Sequence, residues 1–144
     1  MSKWLLMTYK IPRQPTAGRV YVWRKMKQLG AVAVQDAVWV LPATSRTQEQ
    51  FQWLATEITE LGCEATFWLA DMLYESCEDS IRQQFELPVA KAYQEILAAL
   101  DRRDRNLTSL SRRFQETLAQ DYFQIELGRR TRDKLLAARG GKRE

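Results

Sequence analysis

The stretch Ala31-Val32-Ala33-Val34-Gln35-Asp36-Ala37-Val38-Trp39-Val40-Leu41-Pro42 decides the fold. Val32, Val34, Val38, Trp39 and Val40 give it strong β-propensity. The two apolar runs, Ala31 to Gln35 and Ala37 to Leu41, are so closely joined that Gln35-Asp36 must be a tight hairpin turn. Pro42 ends the second strand. Upstream, Gly30 fits the left-handed stop of a helix over Arg19 to Leu29, in which Val22, Met26 and Leu29 recur at helical spacing. Before it, Ile11 to Gly18 holds two prolines and a glycine and reads as a loop. Lys3 to Tyr9 reads as a further strand.

Downstream, Ser45 with Gln48, or Thr47 with Gln50, offers a capping box for a second helix. That helix buries Phe51, Leu54, Ile58 and Leu61 and closes at Gly62; Glu64 to Leu69 is a fourth strand. The order strand, helix, strand, strand, helix, strand is that of the ferredoxin-like split βαβ pattern. The expected fold is therefore α+β, with a ferredoxin-like βαββαβ core over residues 1–70. Residues 71–144 read as a C-terminal helical extension packed on that core and ending in a basic tail, Gly140-Gly141-Lys142-Arg143. Within it, Ser76 is a candidate cap and Pro88 is expected to kink or restart the helix. Asn106 is a candidate N-cap. Leu107, Leu110, Phe114, Leu118, Tyr122 and Ile125 form one stripe, which predicts a single long helix and so an antiparallel helical hairpin. Some of Trp4, Trp39 and Trp68 must point to the sheet's second face, to be covered by this hairpin or by another subunit.

The chain has 144 residues, no histidine, two cysteines and a net charge of +4. Without histidine it lacks the commonest general base and the usual metal ligand, and every Ser-His or Cys-His nucleophile is excluded. No phosphate-cradling glycine loop is present. An enzyme is not expected, and no cofactor or metal is expected. Cys63 and Cys77 are expected as free thiols in a reducing compartment. No apolar run approaches the roughly 20 residues that cross a bilayer, and the start lacks signal-peptide features; a cytoplasmic protein without membrane contact is expected.

Charge is segregated along the sequence: +6 over residues 1–42, −7 over 43–100 and +5 over 101–144. Such a division favours an anionic partner for the two ends, or the pairing of one part of the chain with another copy. Arg19, Arg24, Lys25 and Lys27 lie on the first helix with no acid between them. Arg112 and Arg113 belong to a second cluster with Arg102, Arg103 and Arg105. Arg129 and Arg130 belong to a third with Arg132, Lys134 and Arg139. Arginine suits bidentate contact with phosphate or guanine, and equally suits salt bridges to carboxylates of this chain or of a partner subunit.

The run from Trp4 to Pro12, that from Arg19 to Ala31 and Val34-Gln35-Asp36-Ala37-Val38-Trp39-Val40-Leu41-Pro42 resemble the opening of the N-terminal domain of chromate-resistance regulators of the ChrB type. Phe51 with Trp53-Leu54, and Glu64-Ala65, fit the same pattern, and Asp121-Tyr122-Phe123 looks like that domain's closing Asp-aromatic-Phe element. The resemblance spans about residues 4–125 and is densest over 19–42. It implies transcriptional regulation of a chromate or related stress operon through DNA binding, and a homodimer. Full-length members carry a second, chromate-resistance domain; this chain is expected to be a stand-alone short member or a truncation. More distantly, the pattern looks like the ferredoxin-like part of PaaX-type repressors and like CRISPR-associated ferredoxin-like nucleases. In those nucleases an Asp ends the first strand, where this chain has Thr8-Tyr9-Lys10. Two alternatives stay open beside the regulator: a dimeric protein-interaction module without nucleic-acid affinity, and an unusual metal-dependent nuclease.

Overall fold

The computed structural model describes residues 3–12, 14 and 16–140. The basic tail expected after Gly140 lies outside the described residues. The chain divides into two compact units, Met1–Ile81 and Arg82–Glu144.

The first unit is mixed α and β. Its elements in order are β1 (Lys3–Lys10), α1 (Ala17–Leu29), β2 (Val32–Gln35), β3 (Val38–Pro42), α2 (Ser45–Glu60) and β4 (Glu64–Asp71). The strands form one sheet of order β2-β3-β1-β4 in which every neighbouring pair is antiparallel. The turn between β2 and β3 falls at Asp36-Ala37, one residue later than the sequence predicts, and Ala37 takes φ 59°. Alternation along β1 sends Leu5 and Met7 to one face, where Met7 opposes Trp39 and Leu5 opposes Leu41. All four are buried, as are Val22 and Met26 of α1 and Phe51, Leu54 and Ile58 of α2. This is the core of the first unit.

Capping explains where the helices begin and end. Gly30 takes φ 76° after α1, and its N–H donates to the carbonyls of Lys27 and Met26; Gly62 takes φ 83° after α2. Neither expected capping box forms. Thr44 is the N-cap of α2, and its hydroxyl accepts from the Thr47 N–H at 3.0 Å while the Thr47 hydroxyl accepts from the Thr44 N–H at 2.8 Å. The Thr47 hydroxyl also donates to the Pro42 carbonyl at 2.6 Å, fastening the helix to the end of β3.

The sheet's second face carries Trp4, Leu6, Thr8, Val40 and Trp68, which oppose one another across β1, β3 and β4 or alternate with the core set. Trp4 is buried, and its Nε1 donates to Glu78 at 2.8 Å. Glu78 lies in the first turns of α3 (Glu75–Leu100), which belong to this unit. Trp39 lies on the helix side, and its Nε1 donates to the Tyr9 hydroxyl at 3.0 Å. Trp68 remains 54% exposed. The three tryptophans thus meet three different fates.

The second unit is helical and departs from a hairpin. Besides the rest of α3 it holds α4 (Leu107–Gln120) and α5 (Glu126–Gly140). Pro88 does not restart a helix; α3 runs through it. Pro88 cannot supply the i+4 donor to the Gln84 carbonyl, but Gln84, Leu87 and Pro88 are all exposed, so water reaches that side. The Ser76 cap is not used, because the helix has already begun at Glu75. Asn106 caps α4 as the sequence predicts, its side chain accepting from the Ser109 N–H at 3.0 Å.

The single helix predicted over Leu107 to Ile125 is two helices. Asp121 leaves helical geometry, and Gln124 takes φ 50°. Asp121 is buried, and its carboxylate accepts from the Tyr93 hydroxyl at 2.9 Å and from the Ile125 N–H at 3.2 Å. Tyr122 and Phe123 both set their rings edge-on to Phe85, at 6.0 and 5.9 Å between centroids. The Asp-aromatic-Phe element is therefore a turn that clamps α4 and α5 onto α3. Tyr93, Ile96, Leu100, Leu110, Phe114 and Leu135 form the core of this unit.

Burial first, then the hydrogen bond to Asp121 and its charge, hold the Tyr93 phenol well above its ordinary pKa of 10.0. A folded-state pKa raised in this way gives stability that is complete below pH 10 and is lost as pH rises beyond it, since the unfolded phenol ionises first. In an alkaline titration, the phenolate absorbance of Tyr93 is expected to appear only together with loss of helical ellipticity. A phenolate step in the difference between wild type and Tyr93→Phe while the ellipticity is still intact would show that the phenol ionises within the fold.

Candidate nucleic-acid interface

The basic residues of α1 are sorted by the side of the helix that faces the core. Val22 and Met26 are fully buried, so positions opposite them around the axis face solvent. Arg24 and Lys27, three residues apart, stand on that outer side and are exposed. Lys27 Nζ lies 5.8 Å from the centroid of the Trp23 ring, itself 54% exposed. No carboxylate occurs anywhere in α1. Arg24 makes no ion pair among the described residues.

Arg19 and Lys25 lie to either side of this ridge. Arg19 is half-buried and lines a groove of about 590 Å³ together with Tyr9, Trp23, Gln35, Asp36 and Trp39. Lys25 lines a smaller groove of about 350 Å³ between α1 and α2 with Gln28, Trp53 and Glu57. Its Nζ is 5.4 Å from the Tyr21 ring, and the Tyr21 hydroxyl donates to Glu57 at 2.8 Å. That hydrogen bond, then desolvation and the Glu57 charge, raise the Tyr21 pKa. The four-residue cluster expected from the sequence is thus one exposed pair with two flanking members, each lining a groove that also holds a carboxylate.

The later clusters divide further. Arg113 is bound to Glu95 of α3, and Arg129 to Glu126 one turn before it. These are exposed pairs, each worth about 0–1 kcal/mol, but they occupy the guanidinium. Arg112 and Arg130 are exposed and make no ion pair among the described residues. Arg105 donates to the Leu100 carbonyl at 2.9 Å and so covers the end of α3. Arg102 pairs with Asp104 at 3.2 Å, and Lys134 with Asp101 at 3.5 Å. Of the candidate residues, Arg24, Arg112 and Arg130 are exposed and make no ion pair among the described residues, and Lys27 stands exposed beside Arg24.

The sequence did not single out the groove around Arg19. Its walls come from β1, α1 and the β2–β3 turn, and only the pairing of Met7 with Trp39 brings Tyr9 and Trp39 together. Among the described residues, no three carboxylates or thiols gather in a way that could hold a metal ion. No helix among them is long and apolar enough to cross a membrane. Cys63 and Cys77 are free thiols.

Comparison with known proteins bears on what this arrangement serves. The model of the family described as Protein ChrB, N-terminal, matches residues 19–121, from the first basic residue of α1 to the aspartate of the α4–α5 turn. The chain belongs to this family. It is also similar to Protein ChrB of Cupriavidus metallidurans, with 35% identity over 56 residues. That stretch is 39% of this chain and 17% of the relative, so the chain spans only a small part of that protein. No solved structure matches. The ChrB N-terminal match ends on Asp121, the carboxylate that accepts from Tyr93 in the α4–α5 turn.

Proposed function

We propose that this chain is a DNA-binding transcriptional regulator of a chromate-resistance or related stress-resistance operon, acting in the cytoplasm as a homodimer. It works by binding, with no reaction catalysed and no cofactor. Family membership supports the regulatory role. The observation that carries the DNA reading is the exposed Arg24–Lys27 pair on a helix free of carboxylates, with Trp23 beside it. Such a ridge gains affinity by releasing phosphate counterions. We read the first unit as ferredoxin-like, supported by its β-α-β-β-α-β order and by the antiparallel pairing of β1 with both β3 and β4.

A salt titration of binding to the chain's own upstream promoter, beside a scrambled duplex of equal length, tests this. Promoter binding is expected to be tighter and to weaken steeply with salt. The double charge reversal Arg24→Glu/Lys27→Glu should weaken it by at least about tenfold and reduce the log–log salt slope by about 2. Equal, weak binding to both duplexes, or an unchanged slope in the variant, would remove the ridge from the account. The second reading, an interaction module without nucleic-acid affinity, is favoured by the capture of Arg113 and Arg129 by carboxylates. An unusual nuclease has less support, since Thr8-Tyr9-Lys10 ends the first strand without an acid.

A further inference from the structure

The two edges of the sheet differ in kind. β2 is four residues long, and its register against β3 slips between Ala33 and Gln35. Shortness and irregularity are common means of blunting an edge against pairing with another chain. β4 has neither. It runs eight residues, pairs with β1 without interruption from Lys3↔Asp71 to Lys10↔Glu64, and contains no proline, glycine, lysine or arginine. Its outer row of backbone groups meets no strand among the described residues.

The side chains of β4 also point to a partner. Trp68 is 54% exposed and Leu69 is 66% exposed. Adjacent strand residues point to opposite faces, so one open face of the sheet cannot account for both; what they share is the edge. Leu73 and Tyr74, just beyond the strand, are 88% and 71% exposed.

We propose that β4 pairs antiparallel with β4 of a second copy of this chain, joining two four-stranded sheets into one of eight. A twofold axis between identical antiparallel strands must run perpendicular to the sheet, so each residue opposes one of the same parity. Centred on Trp68, the register sets Trp68 against Trp68 of the second copy and Phe67 against its Leu69, the latter twice. Thr66 then meets Ala70, Ala65 meets Asp71, and no two acids are opposed. Centring on Leu69 would set Phe67 against Asp71; centring on Phe67 would set Leu69 against Ala65 and Trp68 against Thr66. The Trp68 register therefore buries the most apolar surface.

Charge permits it as well. The acids of β4 sit only at its ends; Asp71 is bound by Lys3 at 2.7 Å, and Glu64 opposes Lys10. Antiparallel pairing also brings the chain after Asp71 beside the start of the other copy's strand. There Lys10, Ile11, Pro12, Gly62, Cys63 and Glu64 line a groove of about 380 Å³, open to Leu73 or Tyr74. One strand thus offers both the projection and the hollow, as a self-complementary interface requires. The pairing gives the homodimer proposed above its surface and is tested on protein alone, so its failure would leave the DNA reading standing.

Light scattering on the purified chain across a concentration series is the test. Wild type is expected at twice the 16.9 kDa of one chain. Trp68→Lys/Leu69→Lys is expected at the single mass with unchanged far-ultraviolet dichroism. Thr66→Lys, a milder change at an exposed position of the same strand, should raise the dimer dissociation constant if the double variant does not fold. With Cys63→Ser and Cys77→Ser as background, Trp68→Cys is expected to oxidise to a covalent dimer and Thr66→Cys is not. A wild type that stays at the single mass, a folded double variant that still dimerises, or a Thr66→Lys chain that dimerises as well as wild type would overturn the pairing. Cross-linking through Thr66→Cys but not Trp68→Cys would overturn the register.

Discussion

Asp121→Ala is expected to lower the unfolding free energy of the helical unit by about 3 kcal/mol, read as a drop in the urea midpoint at unchanged m-value. Asp121 is 8% exposed, and both of its carboxylate oxygens are engaged, one by the Tyr93 hydroxyl and the other by the Ile125 N–H. Hydrogen bonds to a charged group contribute about 1.5–3 kcal/mol each, and the loss is deeper where a buried partner is left without an acceptor. Tyr93 is fully buried, so its hydroxyl has no water to turn to. Asp121→Asn retains an acceptor oxygen and the shape of the turn, and should cost about half as much. Tyr93→Phe removes the donor but leaves the Ile125 contact, and should fall between the two. If Asp121→Ala leaves the midpoint unchanged, the α4–α5 turn is held by Tyr122 and Phe123 on Phe85 alone.

That turn also marks the limit of what spacing tells. The stripe from Leu107 to Ile125 keeps a helical period across the break because most of its members, Leu107, Leu110, Phe114 and Ile125, pack on the core of their unit, while Leu118 is exposed. A carboxylate next to the stripe at Asp121 was the available signal, and its meaning depended on Tyr93, 28 residues earlier. Gly30, Gly62 and Asn106 were legible for the opposite reason: each acts on its own neighbours, by a left-handed φ or by the short reach of the Asn106 amide oxygen to the Ser109 N–H. Thr44 was missed as a cap because Thr47, not a Glu or Gln, fills the reciprocal role. The candidate site follows the same rule. The absence of acid from α1 is local and was legible, whereas the binding of Arg113 by Glu95, 18 residues earlier, and of Lys134 by Asp101 was not.

Gly128 is the sharpest case of this distant dependence, and it makes a prediction whose sign differs from that of helix propensity. It lies inside α5, where alanine would ordinarily stabilise by about 1 kcal/mol. A Cβ there would stand 2.9 Å from the Tyr93 hydroxyl oxygen and 3.0 Å from its Cε2 and Cζ. The ring has little freedom to retreat, being fully buried, tied to Asp121 and set against Phe114 at 5.9 Å between centroids. Gly128→Ala is therefore expected to destabilise by about 1–3 kcal/mol, the usual cost of forcing extra volume into a packed core. Gly128→Val, with two more methyl groups, should leave the helical unit unfolded at ordinary temperature. In a Tyr93→Phe background the contact at 2.9 Å is gone while those at 3.0 Å remain. The alanine should then cost less than it does beside tyrosine, by a coupling of about 0.5–1 kcal/mol. A stabilising Gly128→Ala would mean that Tyr93 moves aside at little cost, and the hydrogen bond to Asp121 would then be too weak for the loss expected of Asp121→Ala. The two measurements bear on one ring, and agreement between them is the strongest check on how this unit is built.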